Sequence, residues 1–379
     1  MIDQQKFFTY LNEAGVEFFT GVPDSLLNEF CKYVQENAGT DKHIIAANEG
    51  NSIGIAAGYH LATGAVPLVY MQNAGLGNAL NPLLSLTNKE VFGIPMILLV
   101  GWRGDPSVSD WAQHKKQGEI TLSLLDHAAI PYKIVETDEG DGQDYVEWAV
   151  RTARSLDTPV ALVAKKGMFE QGKASETIGA QGEREMKRGD AIEVIVSTLP
   201  EDTLYVATTG RATRELYFLR QDRGEDTRHD FLNVGAMGHA SSIALGIARG
   251  RPDRLVVCLD GDASTLMHLG ALPIIGSSET GNLLHVVLNN GAHESVGGQP
   301  SVGFAAGFAD IARRVGYQTV MGPVSTPDEL AGALRSFTQS KGPGFVDVHV
   351  DTGLRSKLPP LAVSHQELKR MFQSELGSL

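Results

Sequence analysis

Cysteine is scarce in this chain: Cys31 and Cys258 are the only two in 379 residues, one in each half. Cys258 lies inside an apolar run, so neither a disulfide framework nor a zinc site is expected. Positive charge is also in deficit, with 32 Lys and Arg against 45 Asp and Glu and a formal net charge of −13. That balance argues against nucleic-acid and anionic-membrane partners. No apolar stretch reaches the roughly 18 residues of a membrane span. The first residues, Met1-Ile-Asp-Gln-Gln-Lys6, lack a basic region followed by an apolar one. A cytoplasmic protein is the expectation.

What the chain does have is apolar content, 42%, enough at this length for two domains with full cores. Strand-like runs at Phe18-Phe-Thr20, Val66 to Met71, Met96 to Val100, Tyr132 to Val135 and Val160 to Ala164 alternate with amphipathic helical stretches. The pattern recurs with Thr203 to Ala207, Arg254 to Asp260, Leu283 to Leu288 and Gly344 to Val350. Such alternation predicts an α/β protein in which mostly parallel sheets are covered by helices on both faces. Between the halves, residues 166–189 are polar and glycine-marked and read as a linker. The expected division is therefore 1–165, linker 166–189, and 190–379, two copies of one architecture.

Two buried-strand runs end in polar residues suited to a metal and a phosphate. One runs into Gly261-Asp262-Ala263, the other into Asn289-Asn290. Ligands bind beyond the carboxyl ends of parallel strands. Glycine lets the backbone approach a phosphate, Asp262 offers an anionic oxygen, and Asn290 a neutral carbonyl oxygen. Ordinary strand-to-helix turns use the same residues. In the first half, Ala46-Ala-Asn-Glu49-Gly-Asn51 opens a helical stretch rich in small residues, and Gln72-Asn73-Ala-Gly75-Leu-Gly77-Asn78 forms a glycine-rich turn. Glu49 has an alternative reading as a first-turn acid favoured by the helix dipole. A nicotinamide fingerprint fits poorly, because Asn78 stands where the third glycine belongs.

Together these constellations, pyrimidine half before diphosphate half, resemble the thiamine diphosphate-dependent 2-oxoacid decarboxylases across nearly the whole chain. The commoner members carry a middle domain, and here a short linker replaces it. That departure points to the compact branch acting on phosphonopyruvate or sulfopyruvate. Gly21-Val-Pro-Asp-Ser-Leu-Leu27, Gly101-Trp-Arg-Gly104, His114-Lys-Lys-Gln-Gly118 and Asn289-Asn-Gly-Ala-His-Glu-Ser-Val-Gly-Gly298 resemble the phosphonopyruvate members closely.

The resemblance implies thiamine diphosphate and Mg²⁺ as cofactors, with Asp262, Asn290 and the Ala292 carbonyl as metal ligands. It implies Thr209, Gly210, Gly261, Ala263 and Ser264 along the diphosphate, Gly235 and Met237 against the rings, and Asn73, Gly75 and Asn78 in the pyrimidine half. Glu49 would drive tautomerisation of the aminopyrimidine, work that suits a buried carboxyl. Asp24, Ser25, His114 and His293 are the further catalytic candidates. Arg103, Lys115, Arg211, Arg355 and Lys357 are candidates for the substrate's anionic group, in loops marked by glycine or proline. His60, His127, His268 and His285 read as structural.

The implied reaction is decarboxylation of 3-phosphonopyruvate to phosphonoacetaldehyde and carbon dioxide, within phosphonate and antibiotic biosynthesis. The implied assembly is a homodimer or larger, with active sites between subunits. Sulfopyruvate or another 2-oxoacid remains open as substrate, and a non-catalytic cofactor-binding regulatory subunit is the alternative outside enzymes. A carboligating acetolactate-type synthase is disfavoured by the missing middle domain.

Overall fold

The computed structural model describes residues 1–136, 140–170, 184–337, 342–354, 358–359, 361 and 363–377. The chain divides into two compact units, Met1–Ile178 with Val296–Gln299, and Gly179–Ser295 with Pro300–Leu379.

The first unit is a six-stranded parallel sheet. Its strands are β1 (Phe19–Gly21), β2 (His43–Ile45), β3 (Leu68–Gln72), β4 (Ile97–Gly101), β5 (Tyr132–Val135) and β6 (Val160–Ala164), in the order β2-β1-β3-β4-β6-β5. The central runs are apolar without a break because side chains alternate between two covered faces. Leu68, Tyr70, Ile97 and Leu99 join Phe7, Phe30 and Val146 in one core. Val69, Met71, Leu98 and Val100 join Ile53, Ala56 and Leu125 in the other.

The second unit repeats the plan. Strands β7 (Leu204–Ala207), β8 (Asp230–Leu232), β9 (Val256–Gly261), β10 (Leu283–Asn289), β11 (Thr319–Val324) and β12 (Gly344–His349) are ordered β11-β12-β10-β9-β7-β8. Counting from each unit's own first strand, this is the first sheet's order. Tyr205, Val257, Leu284 and Val346 face one core, and Val206, Cys258, Val287 and Phe345 the other. In both sheets the chain reverses direction of growth beside its first strand, between β1 and β3 and between β7 and β9. Such switch points open a crevice at the strands' carboxyl ends.

Three strands carry no signal in the sequence reading: β2, β8 and β11. Each is an edge strand. An edge needs neither two buried faces nor a continuous apolar run, and the residues of β2 and most of those of β11 are partly or fully exposed. The polar stretch 166–189 is anchored at both of its ends. Met168 and Phe169 are buried in a core of the first unit, and Met186 in one of the second. No helix among the described residues is long and apolar enough to cross a membrane.

Candidate active site

In the first unit, polar side chains converge where β1, β3 and β4 end. Asp24, three residues beyond β1, is fully buried. Its Oδ1 accepts from Gln72 Nε2 at 2.8 Å and its Oδ2 from the Leu26 N–H at 3.1 Å. Burial pushes the Asp24 carboxyl up, opposed by those bonds and by the charge of Arg103. Gly101, the last residue of β4, is required here, because a Cβ would overlap Asp24 Oδ2. Arg103 donates from Nε and Nη2 to Asp110 at 2.8 and 2.7 Å, and from Nη1 to Ser25 Oγ at 3.1 Å. The Arg103 hydrogen bond holds Asp110 well below the ordinary carboxylate range. The guanidinium is thus fixed as a planar fork beside Asp24.

His114 joins this group from the helix Ala112–His127. Burial first, then the Arg103 charge, hold its imidazole below the usual value. The contact is made through two glycines. Gly104 (φ +73°) lies flat on the helix backbone at His114, and Gly118, four residues on, meets the Gly104 carbonyl. The loop setting expected for these cations needs correcting: His114 and Lys115 lie in the first turns of that helix, and Arg211 opens the helix Arg211–Asp222. Lys115 is exposed.

Glu49 stands one residue after the N-cap Asn48 of the helix Glu49–Thr63 and is 6% exposed. Its Oε2 accepts from Asn78 Nδ2 at 2.8 Å. A Cβ on Gly75 would lie 2.5 Å from Glu49 Oε1, so glycine there is what admits the carboxyl. Asn73 is buried in the same unit. Its amide donates to the Arg103 carbonyl and to Thr121 Oγ1, both at 2.8 Å, and accepts from the Arg103 N–H at 3.1 Å. The side chain ties β3 to the Arg103 loop.

In the second unit the ends of β7, β9 and β10 form a comparable group. Gly210 (φ +104°) caps the helix Arg211–Asp222 without a side-chain hydrogen bond, leaving the first-turn N–H groups for an anion. Asp262 is 3% exposed and Asn290 4%. Burial pushes the Asp262 carboxyl up to about 6, against hydrogen bonds from the Ser301 hydroxyl and the N–H groups of Ala263 and Asn290. Asp262 and Asn290 are therefore adjacent. Asn290 Oδ1 accepts from the Ala292 N–H at 3.1 Å, which places Ala292 in the same turn. Gly261 ends β9, and Ala263 follows in the short helix that Asp262 opens.

Ser264 follows in the same short helix. Its hydroxyl bonds Thr208 Oγ1 at 2.9 Å and accepts from the Gly238 N–H at 3.1 Å. Thr209 is partly exposed beside it. Asn233 Oδ1 accepts from the Gly235 N–H at 3.2 Å, and Ala236 (φ +46°) and Gly238 (φ +84°) shape the turn that leaves Met237 partly exposed. Burial pushes the His293 imidazole down to about 4. Arg211 does not stand free: its Nη1 is 2.5 Å from Glu294 Oε1. Arg355 and Lys357 lie outside the described residues.

His285 is internal, as expected of a structural histidine, with its ring 3.3 Å from both Asp260 Oδ2 and Tyr317 Oη. It also brings donor atoms of Cys258, Asp260 and His285 within 4.8 Å of one another. Three residues central to these groups escaped the sequence reading: Gln72, Asp110 and Glu294. Asp110 alone offered a local signal, an acid seven residues after Arg103 in one loop.

The thiamine pyrophosphate enzyme N-terminal TPP binding domain matches residues 4–129, and the C-terminal TPP binding domain matches residues 209–348. The phosphonopyruvate decarboxylase of Streptomyces viridochromogenes is 33% identical over 96% of this chain and 92% of its own length. That of Streptomyces hygroscopicus is 31% identical over 98% and 94%. The sulfopyruvate decarboxylase of Methanosarcina acetivorans is 29% identical over 98% and 97%. This chain belongs to the thiamine pyrophosphate enzymes, in the decarboxylase branch that holds these relatives.

Proposed function

We propose that the protein decarboxylates 3-phosphonopyruvate to phosphonoacetaldehyde and carbon dioxide, with thiamine diphosphate and Mg²⁺. The observation that carries the substrate assignment is the cluster of Arg103, His114 and Ser25 around buried Asp24. Arg103 is oriented by Asp110 and keeps N–H groups for a planar, charge-assisted contact with an anion. Similarity over almost the full length of two phosphonopyruvate decarboxylases supports the same reading.

The chain's polar groups fit the cofactors. Asp262 is a buried carboxylate whose hydrogen-bond partners are neutral, and Asn290 adds a hard oxygen, the donor set that magnesium prefers. Asp262, Asn290 and the Ala292 carbonyl would hold the metal. Thr209, Gly210, Gly261 and Ala263 would lie along the diphosphate. When bound, thiamine diphosphate supplies the electron sink that a 2-oxoacid needs to release carbon dioxide. Glu49 holds or transfers a proton at Oε1 while Asn78 fixes Oε2. Asp24, whose carboxyl burial pushes up, and His114, whose imidazole burial pushes down, would serve as proton carriers. His293, neutral above about pH 4, is the corresponding base of the second unit.

The test is carbon dioxide release from phosphonopyruvate, sulfopyruvate, pyruvate and benzoylformate, with the parent and Arg103→Ala. The parent is expected to prefer phosphonopyruvate. Loss of one charge-assisted partner costs roughly 1.5 to 3 kcal/mol, so the phosphonopyruvate-to-pyruvate efficiency ratio should fall about tenfold or more in Arg103→Ala. Lys115→Ala, at an exposed position, should change it much less. A parent preference for sulfopyruvate would reassign the substrate, and an unchanged ratio in Arg103→Ala would remove Arg103 from anion recognition.

The assembly proposed is a homodimer or larger, with each active site completed by another subunit. Support comes from the helix Glu49–Thr63, where an added Cβ at Gly54 or Gly58 would meet nothing within 4 Å and Leu61 is 70% exposed, and from Phe92, also 70% exposed. An uncovered small-residue and apolar face suits close packing with another chain. Sedimentation velocity should find no active monomer. Leu61→Asp should dissociate the assembly and abolish turnover together; active monomers at nanomolar concentration would contradict the proposal.

A further inference from the structure

Glu294 lies four residues beyond Asn290 and is buried, yet it carries a full hydrogen-bond complement. Its Oε2 accepts from Asn290 Nδ2 at 2.9 Å and from Arg188 Nη1 at 2.8 Å. Its Oε1 accepts from Arg211 Nη1 and from the Gly353 N–H, each at 2.5 Å. All four partners are donors, and two of them are guanidinium groups. Both oxygens therefore act as acceptors.

That property decides how Asn290 is turned. An asparagine amide can present either its oxygen or its nitrogen, and only the hydrogen-bond network distinguishes them. A carboxylate cannot donate, so the NH₂ of Asn290 must face Glu294. Oδ1 then faces the other way, toward the Ala292 N–H and the turn shared with Asp262. Without the carboxylate, the flipped amide would present N–H groups to a cation.

We propose that Glu294 is a positioning residue for the metal half of the site, fixing the Asn290 amide so that its carbonyl oxygen is the one offered to magnesium. Arg188 and Arg211 pair with the carboxylate and hold it in place. The inference rests on the proposed metal role of Asp262 and Asn290. Partners of metal ligands typically change metal affinity by 10- to 100-fold when removed. Glutamine at 294 can present either an oxygen or an NH₂ to Asn290 and no longer enforces the orientation.

The test titrates Mn²⁺, read by electron paramagnetic resonance, into the full-length protein with thiamine diphosphate, comparing Glu294→Gln, Glu215→Gln and Asp262→Asn with the parent. Glu215 also pairs with Arg188, so Glu215→Gln strips that arginine of a partner while leaving Asn290 untouched. Glu294→Gln should bind Mn²⁺ about 10- to 100-fold more weakly and regain most of its turnover when the metal is saturating. Glu215→Gln should keep the parent affinity. Equal weakening in both glutamine variants would show general loosening and overturn the proposal, as would parent-like Mn²⁺ binding in Glu294→Gln. Should Asp262→Asn bind Mn²⁺ as the parent does, the metal assignment itself would fall, a result separable from failure of the Glu294 role.

Discussion

Glu49→Gln should lower turnover by about 10²-fold or more, the scale of a general acid-base group, while thiamine diphosphate binding changes little. Glutamine preserves the shape that Gly75 admits and can still accept from Asn78. What it loses is a removable proton at the buried carboxyl. Isothermal titration with the cofactor and a hydrogen-deuterium exchange measurement at the thiazolium carbon separate the two effects. Exchange at the parent rate would deny Glu49 its role. Gly75→Ala makes a useful companion, since its methyl group would displace the Glu49 carboxyl without altering its chemistry, and it should reproduce much of the loss.

Gly118→Ala should be the most damaging change in the first unit. Its Cβ would overlap the Gly104 carbonyl oxygen, and the atoms behind it are the backbone of Gly104. Side-chain rotation cannot relieve a backbone overlap. Overpacking of this kind costs typically 1 to 3 kcal/mol, and more where backbone must move. The Gly104 loop also carries Arg103, so the shift would separate Arg103 from His114 and from Ser25. A fall in melting temperature of several degrees should accompany loss of phosphonopyruvate turnover, with Mn²⁺ binding in the second unit unaffected. Parent-like melting and activity would mean that the loop has room to slide.

The parts of this fold legible in the sequence are those that local patterning dictates. Central strands are covered on both faces, so Leu68 to Gln72 and Leu283 to Asn289 appear as apolar runs. The edge strands β2, β8 and β11 have no such requirement and carry no apolar run. The same division holds at the site. Asp262, Asn290 and Glu49 sit at strand or helix ends within short, recognisable turns. The groups that orient other side chains are remote in sequence from their partners: Arg188 meets Glu294 across 106 residues, and Gln72 meets Asp24 across 48. Pairings of that kind arise from sheet order, which no local pattern encodes. Arg103 and Arg211 show what charge read without partners leaves out, because each is oriented by a carboxylate that no local pattern announces.

The repeated strand order carries a consequence for how such a protein can be inherited. Each unit surrounds its own sheet with its own pair of apolar cores, so neither core depends on covalent continuity with the other. A gene for this fold can be cut between the units, or two genes fused there, with both cores preserved. Each core is then free to accumulate changes at its own pace.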